Sequence, residues 1–518
     1  MNIGSEMQEI SSNNKRIAKN TLLLYFRMLV TMAVSLYTSR VVLNILGVED
    51  FGIYNVVGGI VAMFGFINGS MTSATQRYLT FELGQNNRAQ LTKVFSTSLS
   101  IHGIISFLII VLAETVGLWF LWNKMQIPAD RMNAAFWVFQ CSVAASVIMI
   151  MSVPYNAAII AHERMSAFAY IWIIEVSLKL LIVCFLRYFH TDKLILYAVL
   201  IVIVQFLIRL CYSWYCNRHF NETKYRWSWD KGLFKEMTGF ASWNMFGSLA
   251  AITFTQGLNL LLNMFFGPVV NAARGIAVQA QTAIGQFSSN FQTALNPQIT
   301  KSYATGDMEY MHGLIFRSAK FSFFLLLLLS LPVLIETKAI LTLWLKIVPD
   351  HTVVFLRIML CTTWVYAVSN PLITAASATG KIKLYQSVVG GLLLLILPIS
   401  YLCLRFGLPA YSVFIVHLVI EITAQFARLL MLKRMIKLSL REYFSKVVWC
   451  IFKVTAIALA VPLAVAYWQP GEGIWNLLTI FLICAISTSM SVYWFGVTPG
   501  EKIYICSKVS SIASKFKK

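Results

Sequence analysis

The chain has 518 residues, of which 58% are hydrophobic and 12% charged, with a formal net charge of +21. A soluble domain carries about a quarter of its residues as charges, so this composition excludes a water-soluble globular protein and requires an apolar solvent. The net charge alone would suit a nucleic-acid binder, but the bases are dispersed over separate loops without interleaved aromatics, which argues against that partner.

In chain order, the opening "MNIGSEMQEISSNNKRIAKN" is too polar for the apolar core of a secretory signal, and the run from Thr21 is too long to be one. Thr21 onward is therefore expected to persist as an uncleaved first span. Apolar stretches recur near 21–43, 51–75, 94–113, 134–161, 165–186, 194–216, 239–263, 271–295, 314–335, 352–378, 384–404, 408–431, 447–468 and 474–496. Each is long enough to cross a hydrocarbon layer of about 30 Å as a helix. They are about twice the length of a barrel strand and lack its alternation. The reading is an all-α, polytopic integral membrane protein with about 14 transmembrane helices.

Loops assigned alternately to the two sides share the bases unequally. The side of the N-terminus collects about 28 of the 42, among them Lys15, Arg16, Lys19, Arg77, Arg88, Arg164, Lys301, Lys381 and Lys383. The other side holds Lys124, Arg131, Arg187, Lys193, Arg274, Lys338, Lys346 and Arg405. This bias predicts that both termini are cytoplasmic, with the basic loops facing anionic membrane lipids. The nine cysteines show neither metal spacing nor a disulfide framework, and most lie inside predicted spans as small apolar residues.

One pattern occurs twice. "SVPYNAAIIAHERMSAF" from Ser152 is answered by "SNPLITAASATGKIKLY" from Ser369, pairing Pro154 with Pro371, Ala158 with Ala375, Arg164 with Lys381 and Phe168 with Tyr385. "LWNKMQIP" from Leu121 is answered by "LWLKIVP" from Leu343, "QFLIR" from Gln205 by "QFAR" from Gln425, and Asn44 by Asn263. Offsets near 217–222, all in order, mark a duplication of spans one to six as spans seven to twelve. An even number of spans per half makes the repeats parallel, with a substrate site expected between them. The expected domains are an N-terminal lobe at 1–216, a basic cytoplasmic linker at 217–238, a C-terminal lobe at 239–431, and two added helices with a basic tail at 432–518.

Small and polar residues recur every three or four positions in span two (Asn55, Gly58, Gly59, Ala62, Gly65, Gly69, Thr72, Gln76), in span eight (Gly275, Gln279, Thr282, Gly285, Ser289, Gln292, Asn296) and in span seven (Ser248, Gln256, Asn259, Asn263). Tight helix packing accounts for the glycines. The amides of span eight exceed what packing needs, so spans one, two, seven and eight are expected to line a hydrated cavity.

Charges at depth are costly and are candidate functional groups. Arg27, Arg40, Lys179, Arg209, Arg274 and Arg357 lie in or near spans, against only Glu175 and Glu421. Arg209, Arg274, Arg357 and Arg428 sit close enough to span ends to snorkel. Glu175 and Lys179 stand four apart and can neutralise each other, although the second half has Leu392 and Ile396 there. His417, Glu421, Gln425 and Arg428 form a stripe at helical spacing, suited either to proton or sodium coupling or to an ordinary interhelical hydrogen-bond cluster.

Enzymatic signatures fail. "ASATGKI" has Ala375 where a P-loop needs glycine and Ile382 after its lysine. "AHERM" lacks the second histidine of a zinc helix. No loop exceeds about 25 residues, too short for a soluble catalytic or nucleotide-binding domain. The chain is expected not to be an enzyme, to carry no metal or cofactor, and to draw energy from an ion gradient, the membrane potential, the substrate gradient or a partner.

The two six-helix halves, the two added helices, "SRVVLNILGVEDFGIYNVV", "TSATQRYL" and "NPQITKSYATGD" together resemble the Wzx-type oligosaccharide flippases of the multidrug/oligosaccharidyl-lipid/polysaccharide (MOP) exporter superfamily, related to the MATE transporters. The resemblance implies that an undecaprenyl-diphosphate-linked oligosaccharide is carried from the cytoplasmic to the periplasmic leaflet of the bacterial inner membrane by alternating access. The resemblance further implies a role in lipopolysaccharide, O-antigen or capsule synthesis, with polymerase and assembly proteins as expected partners. Arg27, Arg40, Lys179, Arg274 and Arg357 are the candidates for the diphosphate. Gln256, Asn259, Gln279 and Gln292 are those for sugar hydroxyls, and Glu175, His417 and Glu421 those for ion coupling. The competing readings are a cation-coupled MATE-type drug exporter, which would favour acids in the N-terminal lobe, and a membrane glycan polymerase or ligase, which would need a large outer loop.

Overall fold

The structure is a computed structural model. It describes residues 19–34, isolated positions between 38 and 57, and residues 65–502 apart from 124–126, 187, 190, 225–229, 346–347, 469–472 and 500. Among these residues there is no strand. The helices are α1 (19–34), α2 (Gly65–Gly84), α3 (Arg88–Leu112), α4 (Leu118–Asn123), α5 (Met132–Ala161), α6 (Met165–Leu186), α7 (Lys193–His219), α8 (Lys231–Phe266) and α9 (Pro268–Thr305). They continue as α10 (Met308–Ile335), α11 (Thr337–Leu345), α12 (Thr352–Ala378), α13 (Lys383–Leu394), α14 (Ile396–Arg405), α15 (Ser412–Met435), α16 (Leu440–Tyr443), α17 (Trp449–Trp468) and α18 (Ile474–Ser491).

Eleven stretches of the described chain are helical, long and apolar enough to cross a membrane. Three further expected spans account for the difference from fourteen. Those at 21–43 and 51–75 run through positions outside the described residues. The eighth forms α9 but is too polar to count by composition. Most helices outrun their apolar runs, because hydrogen bonding along the backbone continues after the side chains turn polar.

The duplication appears in local geometry. Pro154 and Pro371 both lie inside helices, α5 and α12, each removing a backbone donor near the helix end. The turns that follow turn on one left-handed residue at the same offset, Glu163 (φ 58°) and Gly380 (φ +75°). So do the turns after α2 and α9, through Asn86 (φ 55°) and Gly306 (φ +78°). The third span of each half is also interrupted at matching places. A π-turn at Ala113–Gly117 separates α3 from α4, and Glu336 separates α10 from α11.

The chain divides into two compact units. One contains residues 1–249, 300–307 and 380–383, and the other 250–299, 308–379 and 384–518. In the first unit, α5 packs against α7, α2 and α3, around a core that includes Phe95, Tyr155, Ile159 and Tyr212. A left-handed glutamate is strained by about 1 kcal/mol or more, and Glu163 is held there from two sides. Its buried carboxylate accepts from Lys301 Nζ at 2.6 Å, and its carbonyl accepts from Asn20 at 3.2 Å. Gly84 lies against Ala304, its own counterpart in the repeat; a Cβ at 84 would sit 2.8 Å from the Ala304 methyl.

In the second unit, α12 packs on α15 and α10. The two helices without a repeat partner, α17 and α18, cover α10 through Phe323, Phe324, Leu327, Val454, Ala458 and Ile480. Lys320 of α10 is buried beneath them. Its Nζ donates to the Gly496 carbonyl at 3.2 Å, with Glu501 4.0 Å away.

Candidate functional site

The residues singled out in the sequence form a cluster in each unit. In the first unit, Phe168, Trp172, Glu175 and Lys179 follow one another at four, three and four residues, which places them on one face of α6. The Arg27 guanidinium of α1 lies over the Phe168 ring at 4.7 Å and the Trp172 ring at 5.9 Å. Cation–π contacts are worth about 2 kcal/mol where water is excluded, and they leave the N–H donors of the cation uncommitted. One turn along α6, Lys179 Nζ bonds Glu175 Oε1 at 2.5 Å, and Gln205 of α7 donates to the same oxygen at 3.3 Å. The Glu175–Lys179 pair is therefore self-neutralised. Arg27 forms no ion pair among the described residues. Arg40 lies outside the described residues.

In the second unit, Arg274 of α9 is buried, 6% exposed. It bonds the Asn259 side-chain oxygen and donates to the Thr255 carbonyl at 2.9 Å, both on α8. Among the described residues its hydrogen-bond partners are neutral, and its Nε has none. Asn259 is also linked to Gln256, 3.3 Å away. His417 of α15 is within electrostatic reach of Arg274 and Glu421 and packs on the Phe254 ring at 4.8 Å. The Glu421 carboxylate is bonded by Arg428 Nη1 at 2.8 Å, and that nitrogen also donates to Ser369 at 3.0 Å. Ser369 donates to Gln425, whose amide reaches the Tyr443 hydroxyl at 3.3 Å. Of the two readings of Arg428, snorkelling fails, since at 2% exposure it is a core residue, and the interhelical hydrogen-bond cluster is what forms. The carboxylate partner of Arg428 stands seven residues before it, two turns away on the same face.

The amides of α9 divide between two faces. Gly275, Gln279, Thr282, Gln286 and Ser289 form an exposed stripe. Gln281 donates to Thr363 at 2.8 Å and Gln292 to the Ala367 carbonyl at 2.8 Å, so both face α12. Of the four amides expected to meet sugar hydroxyls, Gln256 and Gln279 are exposed, Asn259 is half-buried beside Arg274, and Gln292 is committed to packing. Arg357 is exposed at the start of α12, where it bonds Thr337 Oγ1 at 3.0 Å and the last carbonyl of α10, Ile335, at 3.2 Å.

Outside the spans, the Arg131 fork holds Asp50 through Nε at 2.8 Å and Nη2 at 2.6 Å, and Asp192 through Nη1 at 2.8 Å. Asp192 also caps α7 by accepting from the Leu194 and Ile195 amides. Burial alone would push its carboxyl up, but these bonds outweigh it and hold the group below the usual carboxylate range. At the opposite end of α5, Glu222 is likewise held down: His162 Nε2, 2.5 Å away, overcomes the effect of burial.

A family of known proteins matches this architecture, the one described as polysaccharide biosynthesis protein, over residues 17–303, more than half of the chain. The chain belongs to this family. No curated protein matches it in sequence. Among solved structures, the fold is similar to a MATE multidrug resistance transporter of the MOP superfamily in an outward-facing conformation, with TM-score 0.70, 13% identity and coverage of 82% of this chain and 96% of that one. It is similar to a MATE protein in a bent conformation, with TM-score 0.72, 12% identity and coverage of 86% and 97%. It also matches a MOP superfamily transporter from Pyrococcus furiosus Vc1, described as having a binding pocket of reversed polarity that suggests a different function, with TM-score 0.67, 13% identity and coverage of 82% and 96%. The polysaccharide biosynthesis family thus comes here with the multi-pass helical fold of MATE-type transporters.

Proposed function

We propose that this protein is a flippase that carries a polyprenyl-diphosphate-linked oligosaccharide from the cytoplasmic to the outer leaflet of the bacterial inner membrane. Alternating access of the two repeated halves would move it, and the basic loops and both termini would be cytoplasmic. The supporting observation is the charge balance at depth. Each acid of the two clusters is neutralised by its own base, Glu175 by Lys179 and Glu421 by Arg428. No acid is bonded to Arg27 or Arg274 among the described residues: Arg27 lies over aromatic rings, with Glu175, itself paired to Lys179, within electrostatic reach, and Arg274 bonds neutral groups. An unneutralised guanidinium in a medium of low dielectric attracts a diphosphate strongly and repels an organic cation. That balance argues against the drug-exporter reading, and a reversed pocket polarity has a precedent in the description of the Pyrococcus furiosus relative.

In this reading Arg27 and Arg274 bind the diphosphate, with Arg40 and Arg357 in supporting roles; Lys179, spent on Glu175, drops out of the expected set, and Gln256, Asn259 and Gln279 bind sugar hydroxyls. His417 and Glu421 couple an ion gradient, with Arg428 competing for the carboxylate. The test uses the purified protein in vesicles that carry a fluorescent undecaprenyl-diphosphate oligosaccharide in one leaflet. The expected result is protein-dependent appearance of the sugar in the other leaflet, with no uptake of an organic-cation drug. Drug transport without glycan movement would reverse the assignment.

A further inference from the structure

On the first unit, at the ends of its helices that carry the basic loops, an open cleft of about 440 Å³ is lined by Tyr78 of α2, by Lys235, Glu236, Phe240 and Trp243 of α8, and by the turn from Gly380 to Lys383. Three lysines, Lys235, Lys381 and Lys383, border it against one carboxylate. That carboxylate, Glu236, accepts from the Tyr78 hydroxyl at 3.1 Å and lies within the field of Arg77. The cleft is therefore net cationic. An ammonium has three donors, so a lysine that already touches the protein keeps protons for a further oxygen.

The floor is aromatic. Lys383 Nζ stands 5.6 Å over the Trp243 ring, and Trp243 leads to Phe246, 6.1 Å away. Met245, Phe246 and Leu249 are exposed on the apolar continuation of α8. Lysines at the rim, an indole at the boundary and exposed aliphatic surface beyond it reproduce the order of a membrane interface: head group, glycerol level, acyl chains. A free anion in water would have no use for that apolar continuation.

We propose that this cleft is a binding site for the phosphate head group of a membrane lipid, held by Lys235, Lys381 and Lys383 with its chains along Trp243 and Phe246. Two lipids carry the same chemistry, an anionic phospholipid and a polyprenyl diphosphate. The phospholipid arm of the test does not depend on the flippase reading.

The full chain is placed in phosphatidylcholine nanodiscs, and phosphatidylglycerol or undecaprenyl diphosphate is titrated in while retained lipid is counted by native mass spectrometry. The variant Lys235→Gln/Lys381→Gln/Lys383→Gln is compared with Lys433→Gln/Arg434→Gln/Lys437→Gln, which removes equal charge from exposed positions at the end of α15 and in the turn after it. Monodispersity of both variants controls for folding. A near-surface lysine is worth roughly fivefold, so the cleft variant should lose affinity on the order of a hundredfold, and the control less than about threefold. Loss confined to undecaprenyl diphosphate makes the cleft a docking point for the cargo, and loss for phosphatidylglycerol as well makes it a general phospholipid site. Equal losses in both variants, or none in the cleft variant, overturn the proposal.

Discussion

The two halves of the repeat handle buried charge differently. In the first, Glu175 and Lys179 stand one turn apart on α6, with 17% and 33% of their side chains exposed, and one amide completes the set. In the second, Glu421 and Arg428 stand two turns apart on α15, at 5% and 3%, and draw in Ser369, Gln425 and Tyr443 from around them. A pair that keeps partial exposure tolerates an incomplete shell. A pair sealed in the core draws its hydrogen bonds from the protein, because an unpaired buried charge is penalised severely; even so, the Arg428 Nε has no partner among the described residues. The comparison also separates structural ions from available ones. Both pairs hold acid directly against base, whereas Arg27 and Arg274, one in each half, have no acid bonded to them among the described residues.

The sharpest test of this difference is Arg428→Leu. It strands the Glu421 carboxylate in the core and should cost about 3–5 kcal/mol, read as a large fall in the thermal midpoint of the detergent-solubilised protein. Adding Glu421→Leu should recover most of the loss. If the double variant is as unstable as the single, the network rather than the charge is what matters.

Next in size is the crossing of Gly84 and Ala304, where the repeat places glycine in one half and alanine in the other. Gly84→Val forces methyl groups into a space already closed at 2.8 Å and should destabilise by about 1–3 kcal/mol. Ala304→Gly should be tolerated far better. Equal effects would mean that the contact is loose.

Asp192 comes third. Because its carboxyl is held below the ordinary range of about 3.9, its stabilisation is present in full above that value and is lost as pH falls through the lower folded value. Asp192→Asn should cost about 1 kcal/mol or less, given its partial exposure. It should also flatten the acid limb of the stability curve below about pH 4, and an unchanged limb would exclude Asp192 as its source. The smallest expected effect belongs to Lys179→Ala, about 0.5 kcal/mol. A loss as large as that of Arg428→Leu would erase the distinction between the two pairs.

Much of the fold was legible because a membrane helix must be continuously apolar. The runs at 165–186 and 352–378 coincide with α6 and α12 end to end, and the run at 474–496 with α18 and the π-turn that closes it. The eighth span was legible from its place in the repeat rather than from its composition. The π-turns were not legible, since nothing in "AETVG" marks them. The Glu175–Lys179 pair was readable from its spacing. For Arg428 the helical spacing of the stripe pointed to the cluster that forms, whereas its nearness to a span end, which suggested snorkelling, says nothing about which way a side chain turns. The burial of Glu163 depends on Lys301, 138 residues away, a contact without a local signal. Its repeat partner Gly380 carried the only hint, a glycine where the turn requires positive φ.

The most direct measurement of the central claim is the rate at which the reconstituted protein moves a fluorescent undecaprenyl-diphosphate oligosaccharide between leaflets, with Arg27→Ala and Arg274→Ala set beside Lys179→Ala. A charge-assisted contact to phosphate is worth about 1.5–3 kcal/mol, so each arginine variant should slow transfer by about ten- to a hundredfold while remaining folded, and Lys179→Ala should change it little. Full transfer by both arginine variants would contradict the account.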